Sequence, residues 1–258
     1  NDVKQKIISG EIKDHSKNFR SKFVDLFDDY VNSSKCFELQ NIELFPIKET
    51  IIGCHHFLDG ILLQYGIANV QILEHEYKYY EKLNPNWQWA VPGNLKPNQP
   101  LIIASPFPGY LDLHPSFDDL LDEASEKQID VHLDCAWLSC SNNVTIDVSH
   151  PSIKTIGISL SKGFASSWNR IGIRYSKLEN LTDPITIFNR ARMCPEPCVR
   201  AGINLLETVP IDYMWNTYGK KYYDLINKYN LDEGKILFAA YGKDRIIYSL
   251  SELLTSNT

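Results

Sequence analysis

Residues 158–175, ISLSKGFASSWNRIGIRY, decide how the chain is read. They begin inside an apolar, β-branched run, IKTIGISLS (153–161), whose composition predicts a strand covered on both faces. Lys162 follows that strand directly, and Arg170 opens a second one, NRIGIRYSK (169–177). An ammonium at the end of a strand buried between layers either marks the strand's end or has a partner there, because an unpaired charge among apolar groups is costly.

Outward from this stretch the pattern is regular. PLIIASP (100–106) reads as an apolar strand, FDDLLDEASEKQ (117–128) as a helix with acids early and lysine late, and VHLDCAWL (131–138) as a strand followed by a short link. Strand–helix–strand alternation with continuously apolar strands implies a mostly parallel sheet with helices on both faces. Upstream, residues 1–45 read as helix, since Phe19, Phe23, Leu26, Phe27 and Tyr30 fall at three- and four-residue intervals. A glycine then opens a second amphipathic helix in TIIGCHHFLDGILLQYG (50–66), and VQILE (70–74) is strand-like. The tail after Cys198 predicts one helix at about 212–229 and two short strands, ILFAAYG and RIIYSLS. The expected architecture is a three-layer α/β/α domain over 46–200, with a small α+β subdomain made of 1–45 and 201–258.

Composition narrows the function classes. The 258 residues carry a net charge of −6, which disfavours a nucleic-acid partner. No apolar run approaches the roughly 20 residues that span a bilayer. The polar start NDVKQKIISGEIKDH has no signal-peptide core. The six cysteines are scattered, and Cys194-Pro-Glu-Pro-Cys198 lacks both zinc spacing and a second pair, so free thiols in a cytoplasmic setting and no metal are expected.

In open α/β sheets functional groups gather at the carboxyl ends of the strands. Asp134, Ser159, Ser161 and Lys162 end strands here, Ser105 ends the first, and Arg170 stands just before the last. Taken singly, Asp134 reads as a turn acid, and Lys162 and Arg170 as solvated charges. Gly53 reads as a glycine before a helix, and Tyr77 as core packing. His55 and His56 are adjacent and point to different sides of a helix, which favours a plain helix start over a metal pair. Together, a strand-end lysine, an acid and an anion clamp suit pyridoxal phosphate chemistry, which needs an amine for the aldehyde, an acid for the ring nitrogen and cationic or hydroxyl groups for the phosphate.

Asp134-Cys-Ala-Trp137, then Ser159-Leu-Ser-Lys162, then Arg170-Ile-Gly resemble, in order and spacing, the pattern of the fold-type I pyridoxal-phosphate enzymes, in particular the class I/II aminotransferases. The resemblance is strongest over 46–176. It implies pyridoxal 5'-phosphate as cofactor, Lys162 as the Schiff-base lysine and proton shuttle, Asp134 at the pyridine nitrogen, and Ser159 and Arg170 at the phosphate. It also implies that Gly53, Cys54 and His55 form the glycine turn facing the phosphate and that Tyr77 stacks on the ring. Trp137 stands where the family has a tyrosine, and Ser105 where it has an asparagine. Ile247 stands at the usual substrate-carboxylate arginine, with Arg245 as the nearby substitute. The resulting expectation is an aminotransferase-like homodimer acting on an amino acid or amine. Decarboxylation, elimination, or a non-catalytic binding or scaffold homologue are the alternatives.

Overall fold

The computed structural model describes residues 16–83, 89–164 and 169–255. Up to residue 176 its strands are β1 (Phe37–Gln40), β2 (Ile47–Ile51), β3 (Gln71–Ile72), β4 (Leu101–Ala104), β5 (Val131–Cys135), β6 (Val144–Asp147), β7 (Ile153–Ser159) and β8 (Gly172–Ser176). Six of them make the central sheet, in the order β2-β8-β7-β5-β4-β3. The pairings β3–β4, β4–β5 and β5–β7 are parallel, whereas β8 runs antiparallel to both β7 and β2. The expected mostly parallel sheet is therefore present, with β8 as its reversed strand.

Every residue of β4 and β5 is buried, as in a sheet covered on both faces, with the polar His132 and Asp134 among the apolar residues of β5. Side chains alternate between two cores. Leu101 and Ile103 pack with Phe23 and Phe27 of α1 (Ser16–Ser33). Ile102 points the other way, to Phe57, Leu58 and Ile61 of α2 (Gly53–Tyr65). A short helix α3 (Tyr79–Leu83) adds Tyr80 to that second core. On the first face, α4 (Phe117–Glu126) buries Phe117, Leu120, Leu121 and Ala124, the stripe its spacing predicts. The helices α5 (Pro184–Arg190) and α6 (Glu196–Thr208) follow β8, α5 on the Ile102 face through Ile185 and α6 on the other through Val199 and Ile203. The three-layer reading holds.

Four expectations need correction. Of residues 1–45, those before Ser16 lie outside the described residues, and the helix ends at Ser33. Phe37–Gln40 is a strand that pairs in parallel with Val144–Asp147, a segment the sequence reading left as a link. Both strands alternate buried and exposed, but four residues are too few for period two to stand out. Helix α6 starts inside Cys194-Pro-Glu-Pro-Cys198, with proline in its first turn, and both flanking thiols are free. The grouping of 1–45 with 201–258 also differs from the packing. Phe23 to Phe45 share the sheet's core, whereas α7 (Tyr213–Tyr229) closes its own cluster of Trp215, Tyr222, Leu225 and Ile226 over the antiparallel sheet β9 (Asp232–Glu233), β10 (Ala239–Tyr241) and β11 (Ile247–Ser249). A last helix, α8 (Ser251–Thr255), contributes Leu254 to that cluster.

One ion network locks the sheet's reversed strand. Arg174 of β8 is 4% exposed; its Nε donates to Glu49 Oε2 on β2 at 3.0 Å, and its Nη1 to Asp183 Oδ1 at 2.6 Å. The same Asp183 oxygen caps α5, accepting the Ile185 and Thr186 N–H groups at 2.8 and 3.1 Å. Removing the guanidinium strands two buried carboxylates, so Arg174→Ala is expected to cost roughly 3–5 kcal/mol in chemical denaturation. A midpoint unchanged from wild type would show that this network does not hold β2, β8 and α5 together.

Candidate active site

Strands β2, β4, β5 and β7 run in the same direction, so their carboxyl ends lie along one edge of the sheet. A cavity of about 170 Å³ opens there. Segments far apart in sequence line it: Cys54 and His55 from the start of α2, Tyr77, Pro106 and Pro108 after β4, Asp134 and Trp137 from the end of β5, Ser159, Ser161 and Lys162 after β7, and Arg170.

Asp134 is 5% exposed. Burial pushes its carboxyl up to about 6, against the opposing pull of a hydrogen bond from Cys54, one from the Ala136 N–H at 3.0 Å, and the Lys162 charge. The Cys54 thiol also reaches the Gly157 carbonyl at 3.5 Å, and burial together with Asp134 raises its pKa well above the ordinary thiol value, so it is present as the protonated donor. A second acid, Glu76, is buried behind the cavity and raised to about 8, again chiefly by burial, although its oxygens accept the Ala104 and Tyr77 N–H groups, each at 2.9 Å.

Lys162 is exposed to the cavity on a tight turn after β7. Next to it, a Cβ on Gly163 would stand 2.2 Å from the Ser139 carbonyl oxygen, so only glycine lets this turn press against the segment after β5. The Ser139 hydroxyl fastens the contact by accepting the Gly163 N–H at 3.0 Å and donating to the Ser159 carbonyl at 3.3 Å.

The other side of the cavity is built for an anion. Helix α2 begins at Gly53 with φ of +72°, a left-handed conformation that favours glycine, and a Cβ there would fill the space between Arg170 and Ser161, 3.4 Å from Arg170 Cβ. The Ser159 hydroxyl is used inside the turn, accepting the Ser161 N–H at 3.2 Å. The Ser161 hydroxyl is buried with no hydrogen-bond partner among the described residues. Arg170 Nη1 lies 3.0 Å from His55 Nδ1. A guanidinium can only donate, so Nδ1 accepts and the neutral ring carries its proton on Nε2, 3.1 Å from the Tyr77 hydroxyl oxygen. Burial first, and Arg170 next, lower the His55 pKa and keep that neutral form. His56 points away, its Nδ1 accepting the Ile52 N–H and its ring against Phe188, as expected for adjacent histidines on a helix.

Most of the residues singled out by sequence thus meet in one cavity. Tyr77 forms part of its wall, 40% exposed, rather than filling the core. Trp137 lines the cavity edge-on to Phe238. Two residues are not brought in. Ser105 is fully buried behind the wall, its neighbours Ala104 and Pro106 facing the cavity instead, as strand alternation dictates. Arg245 sits in the turn before β11 and lines a different depression, so it is not on the expected strand face. The resemblance gives the phosphate role to Ser159 rather than to its strand-end neighbour Ser161, and Glu76 has no role in it, lying in a loop with no periodicity.

The fold has close counterparts among solved structures. An alanine aminotransferase from Pyrococcus furiosus superposes with a TM-score of 0.61 at 16% identity, covering 87% of this chain and 67% of that one. The fold is that of the fold-type I pyridoxal-phosphate enzymes. A PLP-bound C-S lyase from Staphylococcus hominis follows at 0.59, 12% identity, 85% and 65%, and an L-threonine-O-3-phosphate decarboxylase from Porphyromonas gingivalis at 0.52, 13%, 87% and 80%. The chain spans about two thirds of the length of the first two. No protein-family model and no curated protein matches the sequence. Among the described residues no helix is long and apolar enough to cross a membrane.

The raised Asp134 carboxyl has a measurable consequence. A group whose pKa is higher folded than unfolded contributes stability that is complete below its unfolded value, near 3.8, and is lost as pH rises through about 6. In protein free of added ligand, Asp134→Asn is therefore expected to raise the stability at pH 8 by roughly 2–3 kcal/mol, with the advantage gone by pH 4. Equal denaturation midpoints at pH 8 would mean that the carboxylate is not buried at a cost.

Proposed function

We propose that this chain is a pyridoxal-phosphate-dependent enzyme of the aminotransferase type, acting on an amino acid or amine. One observation carries the reading: a single cavity joins a buried, uphill carboxylate, an exposed lysine and an anion cradle, in the chain order that the motif resemblance implies. The chemistry of the donor set supports the same cofactor. The orphaned Ser161 hydroxyl, the space over Gly53, Arg170 and the N-terminus of α2 suit a phosphate dianion. The Asp134 carboxylate suits a cationic ring nitrogen, against which its ionisation no longer costs free energy.

Bound there, the cofactor supplies an electron sink for charge developing at the substrate's α-carbon. The chain's own residues do the rest. Lys162 Nζ is the amine that would hold the cofactor aldehyde and the base placed to move the substrate proton. Asp134 keeps the ring nitrogen protonated, with Cys54 and the Ala136 N–H fixing its carboxylate. Arg170 and Ser161 hold the phosphate, while Ser159 shapes the turn that presents Ser161 and Lys162. Tyr77 covers one side of the ring site and His55 steadies Arg170. Trp137 and Ser105 stand where the family has a tyrosine and an asparagine; Trp137 lines the cavity and the Ser105 hydroxyl stays behind the wall. Among the described residues no second arginine lines the cavity to grip a substrate carboxylate, and this keeps amines within the substrate class.

The phosphate cradle gives the test. Wild-type protein is expected to take up pyridoxal 5'-phosphate with a visible absorbance change. Ser161→Ala and Arg170→Ala are expected to weaken that binding about tenfold or more while leaving the weaker binding of phosphate-free pyridoxal unchanged. Failure of the protein to bind the cofactor, or equal loss for both compounds, would reject the reading. With cofactor bound, an amino acid substrate is expected to yield its keto acid; release of carbon dioxide, or of ammonia with a cleaved side chain, would move the reaction to decarboxylation or elimination.

A further inference from the structure

A second depression, of about 370 Å³, lies between the segment after β4, the loop before β6 and the C-terminal hairpin β10–β11. It shares no lining residue with the Lys162 cavity. The segment 106–112 separates the two, giving Pro106 and Pro108 to one and Tyr110, Leu111 and Asp112 to the other.

Four aromatic residues, Tyr110, Trp215, Tyr223 and Tyr241, stand in its otherwise mainly polar walls. Tyr241 is 5% exposed, and its buried hydroxyl has no hydrogen-bond partner among the described residues. A buried phenol left unpaired costs free energy unless a ligand satisfies it. Across the ring of the same tyrosine lies the Arg245 guanidinium, 4.3 Å from its centroid. The hairpin turn holds it there: the Arg245 N–H donates to the Gly242 carbonyl at 2.9 Å and the Gly242 N–H to that of Ile246 at 2.8 Å. A guanidinium stacked by its face keeps its N–H edge for a planar, two-oxygen acceptor.

The charged groups and the indole N–H of the depression are committed or repel excess charge. Lys235 pairs with Asp112 at 3.0 Å, and the Trp215 indole N–H donates to the Cys140 carbonyl at 2.9 Å. Glu233 also lines the depression and opposes a second negative charge on any ligand. We propose that this depression is a ligand site separate from the cofactor cavity, and that it takes a small monocarboxylic acid with a flat apolar body. Arg245 and the Tyr241 hydroxyl bind the carboxylate, and the body lies among the aromatic residues.

Calorimetric titration with benzoate tests this in protein without added cofactor. Binding is expected, weakened about tenfold by Arg245→Ala and about threefold to tenfold by Tyr241→Phe. Arg170→Ala is expected to leave it unchanged, because that arginine belongs to the other cavity. Arg245 is exposed, so its loss does not endanger folding. No binding, binding indifferent to Arg245→Ala, or loss in Arg170→Ala would each overturn the proposal. L-phenylalanine separates two sources of the carboxylate. A gain over benzoate that disappears in Glu233→Gln identifies the acid as an amino acid whose ammonium meets Glu233. No gain identifies a simple carboxylic acid.

Discussion

A carboxylate buried at the end of a parallel strand raises the free energy of the folded chain unless something positive answers it. Asp134 is in that position, and burial outweighs the hydrogen bonds and the Lys162 charge that favour its ionised form. Much of the cavity is arranged around that imbalance. Following the left-handed glycine that starts α2 against the Arg170 side chain, Cys54 hydrogen-bonds Asp134. Lys162 acts on it only because Gly163 lets the turn after β7 press against the segment after β5. A cationic ring nitrogen would remove the imbalance, which ties the electrostatics of Asp134 to the chemistry proposed for the cavity.

The sheet supplies the convergence. With β2, β4, β5 and β7 pointing one way, the four stretches that follow them, between residues 53 and 162, deliver side chains to the same edge without any one of them being long. The reversed strand β8 brings Arg170 back to that edge, and the buried Arg174 network holds β8 against β2 and α5. Stability and site are thus coupled through one strand: Arg170 precedes it at the cavity, and Arg174 clamps it in the core.

Much of this was legible in the residues. The apolar run at 101–104 and the largely apolar, β-branched-rich runs at 131–135 and 153–159 announced strands covered on both faces, and Asp134, Lys162 and Arg170 announced a site by order and spacing. What escaped has physical reasons. The four-residue strands β1 and β6 show period two too briefly to be distinguished from loop, and they find each other only across more than one hundred residues. Helix α6 hides behind two prolines that also fit a turn. Which serine hydroxyl is used inside the turn and which is left without a partner among the described residues depends on a hydrogen bond from the Ser161 N–H to Ser159 Oγ, and no composition encodes that. Ser105 fell behind the wall because its neighbours alternate toward the cavity, and Arg245 left the site because the chain turns at Gly242 before β11 begins.

The strictest test of the site is chemical trapping at the lysine. Borohydride reduction of the protein mixed with pyridoxal 5'-phosphate, followed by proteolysis and peptide mass mapping, is expected to place a phosphopyridoxyl group on Lys162 and to leave Lys162→Ala unlabelled. A label confined to any other lysine, or labelling of the Lys162→Ala variant to the same extent, would contradict the assignment.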